Sequence, residues 1–362
     1  MDQNPPETKA VNLALQGGGA HGAFTWGVLD RLLECPVLSF DAVTGASAGA
    51  MNAVALADGL ADGCRTEARE RLAAFWGQIA KLAQSSPFQP TLWDSAMGNW
   101  NLNQSPMFLW YQMVSQVVSP YDTNPFNYNP LLESICKLID FDRVRRSPVG
   151  VYITATNVHT GRGRVFEAAE LTAKHVMASA CLPQLYKAVE IDGVPYWDGG
   201  FMGNPPLWPL FENAPSSDVI IVQINPFSRE ETPKSAQDIS DRLNEITFNA
   251  SLVRELRAVD FVARLIASGR LDGTGYRNIR IHVVEDEEFL STLGASSKLN
   301  ASASFFELLF EKGRAAADGW LNENLADIGK RSTIDLAGLF GREHDALDGE
   351  RITRKARVHS DQ

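Results

Sequence analysis

The segment Gly45-Ala46-Ser47-Ala48-Gly49 constrains this chain more than any other, because an apolar strand-like run precedes it and a small-residue helical run follows it. Residues 37–43 form an apolar, strand-like run, and residues 50–57 are small and compatible with a helix. A sharp strand-to-helix turn lifts a serine hydroxyl clear of the sheet. Glycines two positions to either side, Gly45 and Gly49, leave room for the helix to pack and for a carbonyl to approach. Ser47 is therefore the leading candidate for a covalent nucleophile. The pentapeptide alone is a weak signal, since a buried serine satisfied by backbone in a tight glycine turn has the same letters.

Two further glycine clusters add context. Gly17-Gly18-Gly19-Ala20-His21-Gly22 follows the apolar run 11–15 and opens a segment with Phe24, Val28, Leu29, Leu32 and Leu33 on one helical face. Glycines let successive backbone N–H groups converge on one point, and a helix N-terminus adds its positive dipole end there, so the loop suits an anion or an oxyanion. Gly17-x-Gly19-x-x-Gly22 also fits a dinucleotide fingerprint, yet the acidic residue available, Asp41, precedes Ala42-Val43 instead of closing a strand that faces a ribose. The third cluster ends a hairpin: residues 187–191, the turn Asp192-Gly193, residues 194–197, then Asp198-Gly199-Gly200. Asp-Gly recurs at 58, 62, 272, 318 and 348 among others, most of them expected as plain turns, and only Asp198 is followed by two glycines.

In this order the blocks resemble those of the patatin-like phospholipases. Ala178-Ser179-Ala180-Cys181-Leu182-Pro183 is similar to that family's Ala-Ser-x-x-x-Pro block, and the resemblance covers residues 11 to about 204. It implies an α/β fold in which a mixed, largely parallel sheet lies between helices. It implies Ser47 as nucleophile and Asp198 as its base, with Gly17, Gly18, Gly19, Ala20, His21 and Gly22 forming the oxyanion loop. Gly199 and Gly200 would orient the aspartate, and no metal or organic cofactor is called for. One position departs: the family commonly carries Arg or Lys where this chain has His21, which keeps hydrogen bonding but holds a charge only at lower pH.

A serine is more often paired with histidine. His21 would lie near Ser47 through the loop. His159 and His175 precede Asp198, His282 sits inside the strand-like run 279–284, and His344 and His359 lie in a charged tail. An aspartate acting alone has an ordinary pKa near 3.9 and is a poor base at neutral pH, so burial must raise its basicity.

The rest of the chain fits one enzyme domain. Its 362 residues allow a large α/β domain over residues 11–325, preceded by a flexible start, 1–10, and followed by a mobile charged tail, 341–362. Cys35, Cys64, Cys136 and Cys181 have no metal or redox spacing, so reduced thiols and a cytoplasmic setting are expected. A formal net charge of -11 argues against nucleic acid and against simple attraction to anionic lipid. From 87 to 130 the chain holds Trp93, Trp100, Trp110, Tyr121 and Phe126 among few charges. This helical and aromatic insertion is either a lid that meets lipid or a subdomain packed on the core. Apolar residues from Ile239 to Ile266 recur at helical spacing up to Gly269, and residues 302–325 form a last helix.

The reading is a serine hydrolase of lipid acyl esters that works through an acyl-enzyme, with transient contact at a membrane surface. The rivals are a histidine-dependent esterase acting on small soluble esters and a non-catalytic binder of lipid or anions.

Overall fold

The computed structural model describes residues 8–339 except 85, 87, 92–96, 116, 230 and 337. Of the flexible ends expected at 1–10 and 341–362, residues 1–7 and 341–362, with His344 and His359, lie outside the described residues, as does Trp93, whereas Lys9 and Ala10 are not a loose end but open the first strand.

Eight strands form one sheet: β1 (Lys9–Leu15), β2 (Leu38–Gly45), β3 (Gly150–Asn157), β4 (Gly163–Glu167), β5 (Val189–Ile191), β6 (Val194–Asp198), β7 (Asp218–Val222) and β8 (Arg280–Val284). Their order is β5-β6-β3-β2-β1-β7-β8, with β4 also on β3. The centre is parallel, from β3 through β8, and the hairpin strands and β4 are antiparallel. This is the mixed, largely parallel α/β sheet that the motifs imply.

Side chains along the central strands alternate between two apolar layers, because successive residues of a strand point to opposite faces. Ile220 and Val222 of β7 join the larger core, while Val219 and Ile221 join the smaller one on the other face. Helices α1 (Gly22–Leu33), α2 (Ala48–Leu60) and α3 (Arg65–Ala83) cover the first face with the late helix Ala303–Asn324. The helix Ala236–Ala267 covers the second face with Leu252, Leu256 and Val259. Gly269, at φ +72°, follows its end as expected, with its N–H on the Ile266 carbonyl.

That long helix departs from the apolar stripe in its first half. Ile239, Leu243 and Ile246 face solvent, whereas Glu245 and Asn249 are buried. Glu245 accepts from Arg229 and Arg242, and Asn249 caps the Asn225 and Pro226 carbonyls, so charge pairing and amide satisfaction set the helix's rotation there.

The pairing of β3 positions the site. Tyr152 pairs with Glu167 of β4 and Thr44 of β2, and Ala155 pairs with Arg164 of β4 and Asp198 of β6. A strand has two edges, and β4 occupies one throughout. Strands β2 and β6 therefore share the other edge end to end, pointing toward each other. Gly45 lies opposite Ile153 and Asp198 opposite Ala155, so the C-terminal ends of the two strands meet.

Candidate active site

Ser47 forms the turn between β2 and α2 and has φ +54° and ψ -123°, a conformation that costs a β-carbon-bearing residue about 1–3 kcal/mol. Neighbours hold it there. Its N–H donates to the Ser179 carbonyl (3.2 Å) and to Ser179 Oγ (3.0 Å), so the Ala-Ser block braces the elbow. Gly49 is required by close approach: a β-carbon there would occupy the position of the Leu15 carbonyl, and Gly45 lies against the Gly49 backbone.

Asp198 closes β6 and is fully buried. Its Oδ1 accepts the Gly200 N–H at 2.7 Å, and its own N–H donates to the Cys181 carbonyl at 2.9 Å. Oδ2 is buried without a hydrogen-bond partner. Burial raises the carboxyl pKa to about 6, against the opposing pull of the Gly200 N–H, the Ser47 hydroxyl and the Lys298 charge. The Ser47 hydroxyl bears on the carboxylate, although Oδ2 has no partner of ordinary hydrogen-bond geometry. Gly199 lies so close to the Thr154 carbonyl that no side chain fits.

The glycine loop lies across the elbow. A β-carbon on Gly17 would meet Ala46 O at 2.6 Å and Ser47 Cβ at 2.7 Å, and one on Gly22 would meet Ala48 Cβ at 2.6 Å. The Gly17 N–H is taken by Asn204 Oδ1 at 2.6 Å. Among the described residues no hydrogen bond uses the N–H of Gly18 or Gly19. Ala20 and His21 begin the turn into α1 and are buried.

A family model described as patatin-like phospholipase matches residues 13–211, from β1 past Asp198 and over more than half of the chain. The chain belongs to the patatin-like phospholipase family. Membership carries the hydrolysis of lipid esters as its general activity. No curated protein matches. Among solved structures the chain is similar to VipD from Legionella pneumophila, at 17% identity and a TM-score of 0.40, covering 88% of this chain and 67% of that one. It is also similar to the type III effector protein ExoU, at 15% identity and a TM-score of 0.33, covering 88% of this chain and 53% of that one. This chain thus spans about half the length of ExoU.

Behind the glycine loop, this patatin-like protein has a layer of amides that sequence reasoning missed. Gln16 Oε1 accepts the Ile224 and Asn225 N–H groups, both at 2.9 Å, and Gln16 Nε2 donates to Asn249 Oδ1 at 3.2 Å. Asn225 Nδ2 donates to the Gly17 carbonyl at 2.9 Å. One signal was available: Gln16 follows β1 directly and Asn225 closely follows β7, at the carboxyl ends of parallel strands where α/β proteins place their sites.

His21 makes no bond to Ser47. Its Nε2 meets Ser297 Oγ at 2.7 Å and its ring packs edge-on against Phe305. Burial first, then the Lys298 charge, lower its pKa to about 3, so it braces the loop as a neutral ring. His282 bonds Asp218 and Thr333, His175 bonds Thr172, and His159 is exposed. Burial pushes the Cys181 thiol up to about 12, and its Sγ donates to the Lys187 carbonyl, which makes it a packing residue.

A cavity of about 1230 Å³ lies elsewhere: Arg229, Lys234, Asp241, Arg242 and Glu245 line it with neither Ser47 nor Asp198. Within it Arg229 and Arg242 both pair with Glu245. Among the described residues no three His, Cys, Asp or Glu side chains converge as metal ligands.

Proposed function

We propose that the protein hydrolyses acyl esters of lipids, phospholipid or acylglycerol, through an acyl-enzyme on Ser47 with Asp198 as general base. The observation that carries this reading is the end-to-end meeting of β2 and β6 on one edge of β3. It sets a strained serine beside a buried carboxylate that has one oxygen fixed and the other unpaired.

Ser47 Oγ attacks the ester carbonyl carbon and its proton passes to Asp198 Oδ2. The carbonyl oxygen becomes an oxyanion and is held by the N–H groups of Gly18 and Gly19, where one donor is typically worth about 3 kcal/mol. The tetrahedral intermediate collapses, the alcohol leaves with the proton from Asp198, and the acyl group stays on Ser47. Asp198 then takes a proton from water, whose oxygen attacks the acyl carbon. Fatty acid departs as Ser47 recovers its proton. A carboxyl with a pKa near 6 suits this task better than an ordinary one, because it is ionised at neutral pH yet binds a proton more strongly.

Substrate reaches the site from a lipid surface. Met107, Trp110, Met113, Val117, Tyr121 and Phe126 are exposed in a stretch that carries few charges. Tyr121 Oη meets the Ala188 N–H and Tyr111 Oη the Gln184 carbonyl, which ties the stretch to the loop between the Ser179 block and β5. Among the described residues no helix is long and apolar enough to cross a membrane. We read the protein as cytoplasmic and peripheral at that surface.

The test is fluorophosphonate labelling of wild type and Ser47→Ala, with fatty-acid release from phosphatidylcholine measured alongside. Labelling and release that both vanish in Ser47→Ala support the reading. Release that persists in a folded Ser47→Ala protein rejects it.

A further inference from the structure

The short helix Ala295–Leu299 presses on the glycine loop from the far end of the chain, beyond the matched region. The Lys298 carbonyl lies against the α-carbon of Gly19, whose φ of +57° and lack of a side chain allow the approach. The next residue back, Ser297, holds His21. Lys298 Nζ donates to Asn225 Oδ1 at 2.8 Å and to Asn244 Oδ1 at 2.9 Å, and lies 5.4 Å from the Phe248 ring centroid.

Two of these partners, Asn225 and Phe248, each lead to one half of the site. Asn225 donates its amide to the Gly17 carbonyl, the backbone of the loop. Phe248 closes over Gly200, whose N–H fixes Asp198 Oδ1. With His21 neutral, the positive charge that bears on Asp198 is that of Lys298.

We infer that Lys298 is a positioning residue for catalysis: its ammonium fixes the amide that holds the glycine loop and supplies the positive charge against which Asp198 ionises. The inference rests on the Ser47–Asp198 reading above. A cation at that place favours the anionic base and favours negative charge as it builds at the loop. Glu245 and Asp241 of the long helix, with Asp198, favour the Lys298 charge, while Arg229 opposes it and His21 carries none. Burial nonetheless brings the Lys298 pKa down to about 8, so the wild type should lose activity above that pH as the ammonium gives up its proton.

The experiment compares full-length wild type, Lys298→Met, Lys298→Gln and Lys298→Arg on a soluble p-nitrophenyl ester across pH, with thermal melting of each. Lys298→Met should lower kcat by roughly 10- to 100-fold with little change in KM, displace the acid limb of kcat/KM to higher pH, and abolish the fall above about pH 8. Lys298→Arg should recover most of kcat and the wild-type acid limb, since it keeps the charge. Lys298→Gln keeps a donor without the charge and carries the same comparison should the Met variant fail to fold. A folded Met or Gln variant with wild-type kcat and acid limb overturns the assignment. Turnover that survives in Ser47→Ala overturns the underlying reading instead.

Discussion

The half of the candidate site that carries the proposed reactive atoms is built from glycines and tight turns, whereas the half that holds it in place is built from amides and one buried ammonium. In the first, Gly17, Gly45, Gly49 and Gly199 let backbones touch, and the close approach itself positions Ser47 and Asp198. In the second, Gln16, Asn204, Asn225 and Lys298 act through side-chain hydrogen bonds that reach across the chain. Loss of a reactive atom should end turnover, while loss of a holding residue should weaken it by a bounded factor.

Asp198→Asn should give the largest effect. Hydrolysis should fall by about 10³-fold or more, because Asn cannot take the serine proton. The same change should raise stability at alkaline pH. With its folded pKa raised to about 6 from 3.8, Asp198 holds its proton more tightly in the native state, so stability falls as pH rises from about 4 to about 6. Above that window the buried charge costs about 3 kcal/mol, which Asn removes. Melting temperatures measured at pH 5 and pH 8 check this, and an Asn variant that is no more stable than wild type at pH 8 would contradict it. Wild-type kcat/KM should fall as pH drops through about 6.

Asn204→Ala should act more weakly. It leaves the Gly17 N–H buried without its acceptor, a loss of about 1–3 kcal/mol that the loop can partly relax. We expect kcat to fall about 10- to 100-fold while fluorophosphonate still labels Ser47. A loss as complete as that of Asp198→Asn would erase the distinction between reactive and holding residues.

What the sequence made legible follows the same division. The glycine motifs are local: each lies on a strand-to-helix or hairpin turn whose residues are consecutive, so pattern alone named Ser47, Asp198 and the loop as candidates. The meeting of β2 and β6 was not legible, since it depends on which edge of β3 each strand takes. Lys298 gave no local signal at all. The polar rotation of the long helix was hidden because Ile239, Leu243 and Ile246 sit at core-like spacing, yet Glu245 and Asn249 are drawn inward by Arg229, Arg242 and the strand-end carbonyls. The aromatic stretch divides likewise. Trp100 stacks on Phe305 at 5.1 Å and Phe108 is buried, while Trp110 and Phe126 face outward.

His21 offers a milder test, in stability alone. Its folded pKa lies near 3 against 6.5 in the unfolded chain, so the unfolded state binds the extra proton first and stability drains away as pH falls from about 6.5 toward 3. His21→Gln should flatten that acid loss in a melting series. A variant as acid-sensitive as wild type would mean that other groups set the slope.

The smallest catalytic effect is expected on the outward face, where the comparison can be broken from a third side. Trp110, Met113 and Phe126 are 61%, 72% and 93% exposed, so replacing all three by Ser removes no core contact and should shift stability by no more than about 0.5 kcal/mol per site. Trp100 is left alone because its ring is part of the core. Hydrolysis of a soluble short ester should stay within about twofold of wild type, since neither the reactive nor the holding residues are touched. Binding to phosphatidylcholine vesicles should weaken by about 10-fold or more, because each large apolar side chain buried in the interface contributes on the order of 1–2 kcal/mol. With a formal net charge of -11 the protein gains nothing from anionic lipid, so added phosphatidylserine should not strengthen wild-type binding. A stable triple variant with unchanged vesicle affinity would remove the lipid-facing role from this stretch and leave the aromatic rings as a covering subdomain.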